Sequence, residues 1–235
     1  GFVLGLGILS PFADDEHQRD HMMNTAAPIW DGNETWLVLG GAGLFGAFPK
    51  AYALVLSSLY LPILLMLIAL IFRGVAFEFR FKAHTSRWLW GLAFHVGSVL
   101  AAFAQGVILG ALVDGIAPLP PGQVHGAFDW FSPFAVMTGV AVVCGYALLG
   151  ATWLILKTEG RVQQIAFDLT RPLMVAVIVF MLIVSASLPT LHSALMQRWF
   201  TGGNFLYLSP VPLLTAVCAV MLWRSVIHRR EAQPF

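Results

Sequence analysis

The sequence predicts an all-α protein, a polytopic bundle of membrane helices. Three observations lead there. The 235 residues are 58% hydrophobic and only 11% charged, where a soluble domain has about a quarter of its residues charged. Several stretches free of Asp, Glu, Lys and Arg reach the roughly 20 residues that a helix needs to cross a bilayer core. Lysine and arginine gather in alternate loops, as the positive-inside rule requires. About seven crossings are expected, the first partial, within one transmembrane domain covering 1–235. The apolar opening "GFVLGLGILSPF" lacks a Met start and reads as the tail of a first helix. The chain is therefore expected to be a fragment of a longer subunit.

The second crossing follows from a length argument. Between Glu34 and Lys50 only fifteen residues are uncharged, too few to span. The helix is therefore expected to reach back to about Pro28, whose missing N–H costs nothing in a first turn. That takes Asp31 and Glu34 into the helix. The next crossings are expected at 51–72, with a kink at Pro62, then 88–113, 130–156, 172–197 and 199–223.

Arg73, Arg80, Lys82 and Arg87 follow the 51–72 run; Lys157, Arg161 and Arg171 follow 130–156; Arg224, Arg229 and Arg230 follow the last. The loops that alternate with these carry only Lys50, none between 113 and 129, and Arg198. The rich loops are thus expected to be cytoplasmic, with Asp31 and Glu34 on the same side. Trp88, Trp90, Trp130, Trp153, Trp199 and Trp223 fall near helix ends, where interfacial aromatics belong.

Net charge is +1, which speaks against nucleic acid as a partner. Cys144 and Cys218 lie in apolar runs and read as small core residues. No P-loop, G-x-S-x-G or H-E-x-x-H motif is present, and no self-contained catalytic or metal site is expected.

Chemistry concentrates in "WDGNETW". Asp31 and Glu34 are three apart, which places them on one helix face. Two carboxylates side by side in a low-dielectric setting do not both ionise easily, so one is available to hold a proton, as a relay requires. The plainer reading is that both favour the positive end of the helix dipole. Trp30 and Trp36 read equally as interfacial anchors or pocket walls, and Asn33 as a turn residue. Ala42 with Gly46, and Gly43 with Ala47, suit close helix packing. Arg73 and Glu78 close the next run; the plain expectation is that both sit among headgroups, with Arg73 snorkelling. His95 lies inside a span, and a haem-ligand role for it is the minority reading. His17, His21, His84, His125, His192 and His228 read as ordinary polar residues.

Two long blocks, "PIWDGNETWLVLGGAGLFGAFPKAYA" and "LYLPILLMLIALIFRGVAFEFRFK", with "GFVLGLGILSPF" and "FLYLSPVPLL", resemble subunit II of the cytochrome bd-type quinol oxidases, including the cyanide-insensitive branch. The resemblance implies two four-helix bundles and a similarly folded partner, subunit I, which carries two haems b, one haem d and the quinol-oxidising loop. It implies a complex of the bacterial cytoplasmic membrane that oxidises quinol and reduces dioxygen to water. Small accessory subunits and a structural quinone are left open, with no motif here to place the quinone. Within the W-D-G-N motif of Trp30, Asp31, Gly32 and Asn33, the resemblance makes Asp31 a proton-path acid with Glu34 in support. It places Trp36 at the mouth of an oxygen route and makes Arg73 and Glu78 structural motif residues. Val3 stands where the family often has an acid. The rival reading is a proton-coupled secondary transporter using the same two acids; a third is a scaffold without a proton role.

Overall fold

The computed structural model describes residues 1–83, 85–116, 123, 125–191, 197, 201–202, 204–229 and 234–235. Expectations on His84, His192, Arg198, Trp199 and Arg230 lie outside them. The described elements are helical: α1 (Phe2–Leu9), a 3₁₀ turn (Ser10–Phe12), α2 (Glu16–Asn24), α3 (Trp30–Ala47), α4 (Pro49–Ser58), α5 (Tyr60–Phe79), α6 (Arg87–Asp114), α7 (Pro133–Lys157), α8 (Gly160–Leu191), α9 (Asn204–Leu208) and α10 (Pro210–Ile227). Five spans, within α5, α6, α7, α8 and α9–α10, are long and apolar enough to cross a membrane. Residues 2–12 form a shorter apolar helix. The remaining expected crossing, α3, is 18 residues long and carries its two acids in its first turns.

Proline sets the breaks. Pro49 pushes the preceding residue out of the α region; Phe48 sits at φ −134°, ψ 61°, and α3 stops at Ala47. Pro62 has no N–H for the carbonyl of Ser58, and its ring crowds that group. The expected 51–72 helix is therefore not merely kinked. It separates into α4 and α5 around Leu59 (φ −115°, ψ 23°). Relieved of that turn, α5 continues to Phe79 and carries Arg73 and Glu78 as helical residues. α6 ends at Gly115, whose φ of 99° suits only glycine. Ser132 caps α7 by accepting the Ala135 N–H at 3.0 Å.

The core is α1 wedged against α6 and α7, with α5 on the other side of α6. Small residues permit the approach, as packing between membrane helices requires. A Cβ at Gly5 would strike the Tyr146 carbonyl and the Gly150 backbone; one at Gly110 would lie 2.6 Å from Ala135 Cα. Pro11 cannot supply the N–H that would reach Gly7 O in a continuing helix. Ser10 Oγ takes that carbonyl at 2.8 Å, and His95 Nδ1 lies 2.9 Å from it. α8 runs beside α7, and α10 touches α8.

α3 differs from the core helices, for none of its residues is fully buried. Among the described residues nothing comes within 4 Å of a Cβ built at Gly43 or Gly46. The expected close packing along Ala42, Gly43, Gly46 and Ala47 is not made among the described residues.

Because Gly5 meets backbone, the neighbouring chain cannot yield by rotating a side chain. Gly5→Leu is expected to exceed the roughly 1–3 kcal/mol typical of overpacking. Thermal unfolding in detergent should show a lowered midpoint or loss of the monodisperse species. Leu→Ile at the exposed Leu109 of α6 should leave both unchanged.

Candidate functional site

The site forms where α3 begins and α5 ends. Trp30 N–H bonds Ala26 O at 3.0 Å, which starts α3 directly after the buried Met22, Met23 and Ala26 of the preceding segment. Trp30 and Glu34 are one turn apart on α3; Arg73 and Phe77 are one turn apart on α5. The pairs meet in antiparallel register. Trp30 stacks on Phe77 with centroids 5.0 Å apart and planes 2° from parallel. Arg73 Nη1 donates to Glu34 Oε1. Gly74 leaves room for the indole, since a Cβ there would lie 3.3 Å from Trp30 Cζ3. Phe77 in turn meets Phe94 of α6 edge-on at 5.1 Å, which ties the pair to the core.

Arg73 is 2% exposed, so it is turned inward. The expectation that it snorkels to the headgroups is overturned, because its counter-charge lies inside on α3. Its charged end also sits over the Phe77 ring at 5.4 Å. Its Nε has no hydrogen-bond partner among the described residues.

The other motif residues separate. Asp31, Gly32 and Asn33 are exposed, and Trp36 is 72% exposed. Glu78 is exposed and 3.8 Å from Lys82, so the arginine and glutamate of that block serve different surroundings. A cavity of about 320 Å³ opens behind the motif, walled by Asn33, Glu34, Trp36, Leu70, Arg73 and Gln105. Asp31 and Glu34 are thus neighbours on α3, one facing outward and one holding the buried arginine.

A second charged cluster at the same end went unread in the sequence. Arg80 is fully buried. It donates to Glu16, to Asp20 at 3.2 Å and to the Arg87 carbonyl at 3.1 Å, while Arg87 also pairs with Asp20. The signal for α2 was present: Asp15 caps it by accepting the Gln18 N–H at 2.7 Å, and Gln18 reaches back to the Asp14 N–H at 3.1 Å. An acid followed by glutamine three residues on is a capping-box pattern. Asp14 continues the network to Arg161 at 2.7 Å, and this hydrogen bond holds its carboxyl below the ordinary value.

His95 joins α6 to α1 through Gly7 O, and His228 bonds Arg224 O at 2.7 Å. Among the described residues no group of three or more His, Cys, Asp or Glu side chains is placed to hold a metal.

A family profile described as "Cytochrome bd terminal oxidase subunit II" matches residues 1–235. The chain is 32% identical over 239 residues to "Cytochrome bd ubiquinol oxidase subunit 2" of Bacillus subtilis (strain 168), covering 100% of this chain and 69% of that protein. It is 34% identical over 172 residues to "Cytochrome bd-I ubiquinol oxidase subunit 2" of Escherichia coli (strain K12), covering 69% of this chain and 45% of the other. A similar match, 34% over 172 residues, is made to "Probable cytochrome oxidase subunit 2" of Haemophilus influenzae, covering 70% of this chain and 46% of that one.

The α2 cluster predicts a pH response. Burial alone would raise the Glu16 pKa, but the hydrogen bond from Arg80 and the charges of Arg80, Arg19 and Arg87 outweigh it and lower the pKa below the ordinary 4.5. A depressed folded-state pKa contributes stability that is complete above the unfolded value and lost as pH falls through the folded one. Thermal midpoints should therefore hold steady down to about 4.5 and fall below it. Glu16→Gln should lower the midpoint at pH 7 and flatten the acid slope.

Proposed function

The chain belongs to the cytochrome bd terminal oxidase subunit II family, and from that membership we propose that it serves a membrane complex that oxidises quinol and reduces dioxygen to water. Its partner is a haem-bearing subunit I, and haems b and d reside there. This chain supplies the second half of the assembly and a route for protons. The complex sits in the bacterial cytoplasmic membrane, with α2, the start of α3 and the 80–87 connection on the cytoplasmic side. The concentration of Arg80, Lys82, Arg87, Lys157 and Arg161 at that end supports this orientation.

One observation carries the proton role. Asp31 is exposed in the first turn of α3, and Glu34, a turn further in, is held by a buried arginine. Asp31 stands where protons arrive from water. Glu34 stands at the boundary of the low-dielectric interior, its negative charge stabilised by Arg73. A proton passes from water to the Asp31 carboxylate, then to Glu34, restoring Asp31 to its ionised form. The paired arginine keeps Glu34 competent to give the proton up again, as intramembrane acids in relays must. Trp36, exposed beside the cavity, is a wall residue consistent with access for a small apolar molecule such as dioxygen. Trp30, Gly32 and Asn33 shape the helix start.

The test is turnover of the intact complex with excess quinol. Asp31→Asn is expected to lower it roughly a hundredfold or more, with haem content unchanged. Unchanged turnover would remove Asp31 from the path. Loss of the haems would make it a structural residue. Purification of this chain alone, colourless and without a haem-bearing partner, would favour the transporter reading.

A further inference from the structure

α2 has an outward face that neither the ion-pair network nor the core uses. His17 and His21 lie four residues apart within this helix (Glu16–Asn24), and both are exposed. Side chains at that spacing are neighbours on one helix face, with Cβ atoms roughly 5–6 Å apart. Neither imidazole makes a hydrogen bond or an ion pair among the described residues. Singly they are ordinary surface histidines; the helix makes them a pair.

A helix of 9 residues is marginal on its own. Here Asp15 caps it, Glu16 and Asp20 bind the buried Arg80, and Met22 and Met23 are buried behind it. The one-turn spacing of the two imidazoles is therefore held before any ligand arrives, which cuts the cost of binding. The nearby carboxylates are engaged: Asp14 with Arg161, Glu16 with Arg19 and Arg80, Asp20 with Arg80 and Arg87. The pair thus offers nitrogen donors. Imidazole suits zinc, nickel and copper, whereas magnesium and calcium take oxygen ligands.

We propose that His17 and His21 form a two-ligand site for a divalent transition-metal ion of the zinc, nickel or copper class. Two histidines at i and i+4 on one helix face are the pair that holds zinc in H-E-x-x-H helices. Each imidazole nitrogen sits about 2.0–2.1 Å from a zinc ion, so the two nitrogens come within about 4 Å of each other, as side chains one turn apart can. Water completes the coordination. A structural zinc has four protein ligands; with two, this ion is exchangeable, and occupancy follows its concentration. Bound to folded α2, it stabilises the helix that carries it.

The experiment uses the intact complex, purified without a polyhistidine tag and dialysed to equilibrium against Zn²⁺ in an excess of Mg²⁺. It counts bound zinc and measures the thermal midpoint with and without zinc. Wild type is compared with His17→Gln, His21→Gln and the double variant His21→Gln/Asn24→His. All three positions are exposed, so midpoints without zinc should agree. Wild type should bind one zinc more than either single variant, whose affinity at this site should be weaker by roughly a hundredfold, as loss of an intramolecular second contact predicts. Zinc should raise the wild-type midpoint and move those of the variants less. The double variant keeps two histidines on the face but seven residues apart, about 10 Å along the axis, too far to share one ion. It should behave as the single variants do. Equal zinc counts in wild type and both single variants would overturn the proposal. A double variant that binds as tightly as wild type would overturn it too, for the histidines would then act separately. Displacement of the zinc by Mg²⁺ would overturn the nitrogen-ligand assignment.

Discussion

Arg73 lies inside a helix whose apolar window has a mean hydropathy of 2.2, with 2% of its side chain reachable by solvent. Removing a guanidinium from water carries an effective penalty of several kcal/mol, and only a well-placed counter-charge and further hydrogen bonds offset it. Glu34 is that counter-charge. The position of α3 follows from this demand, because α3 buries no residue fully and therefore has little hydrophobic contact to place it. The ion pair and the Trp30–Phe77 stack, one turn apart, fix its start against α5. Asp31 is directed outward as a consequence, and a cavity opens behind the pair. A buried ion pair is weak support for stability as such. Its stronger rationale here is the placement of a carboxylate at a chosen depth.

The same face of α5 repeats the device. Arg73, Phe77 and Arg80 are spaced by four and then three residues, the period of one helical stripe. Arg80 meets Glu16 and Asp20, themselves four apart on α2. One stripe of α5 therefore collects acids from two separate segments, α3 deeper and α2 nearer the helix end. Arg87 and the Asp14–Arg161 pair extend the network to the starts of α6 and α8. Charge at this end orders the short segments, while close-packed glycines such as Gly5, Gly110 and Gly150 order the long helices.

The long apolar runs of α6 and α7 could be read to within a few residues, because a bilayer-length stretch without charge has few other uses. The placement of α3 across Asp31 and Glu34 followed from counting uncharged residues, although the helix begins at Trp30 and not at Pro28. Pro62 was legible as a disturbance but not as a full break, since its effect depends on whether the Ser58 carbonyl finds other support. α2 was missed because its apolar face is only Met22 and Met23; the Asp15–Gln18 cap was the available signal. The spacing of Asp31 and Glu34 indicated neighbours on a helix. Which acid faces Arg73 depends on a helix 39 residues away, and no local pattern encodes that. For the same reason Arg73 could be read as snorkelling: a charge at the end of an apolar run looks alike whether it turns outward or in.

Glu34 and Arg73 act as one unit. A double-mutant cycle on the thermal stability of the intact complex, using Glu34→Gln, Arg73→Gln and the double substitution, tests it most directly. Arg73→Gln alone, or Glu34→Gln alone, should be markedly destabilising, and the double variant should be less destabilised than the sum by about 1–3 kcal/mol. Effects that add to within about 0.5 kcal/mol would show the arginine and the glutamate to be independent residues that happen to lie close together.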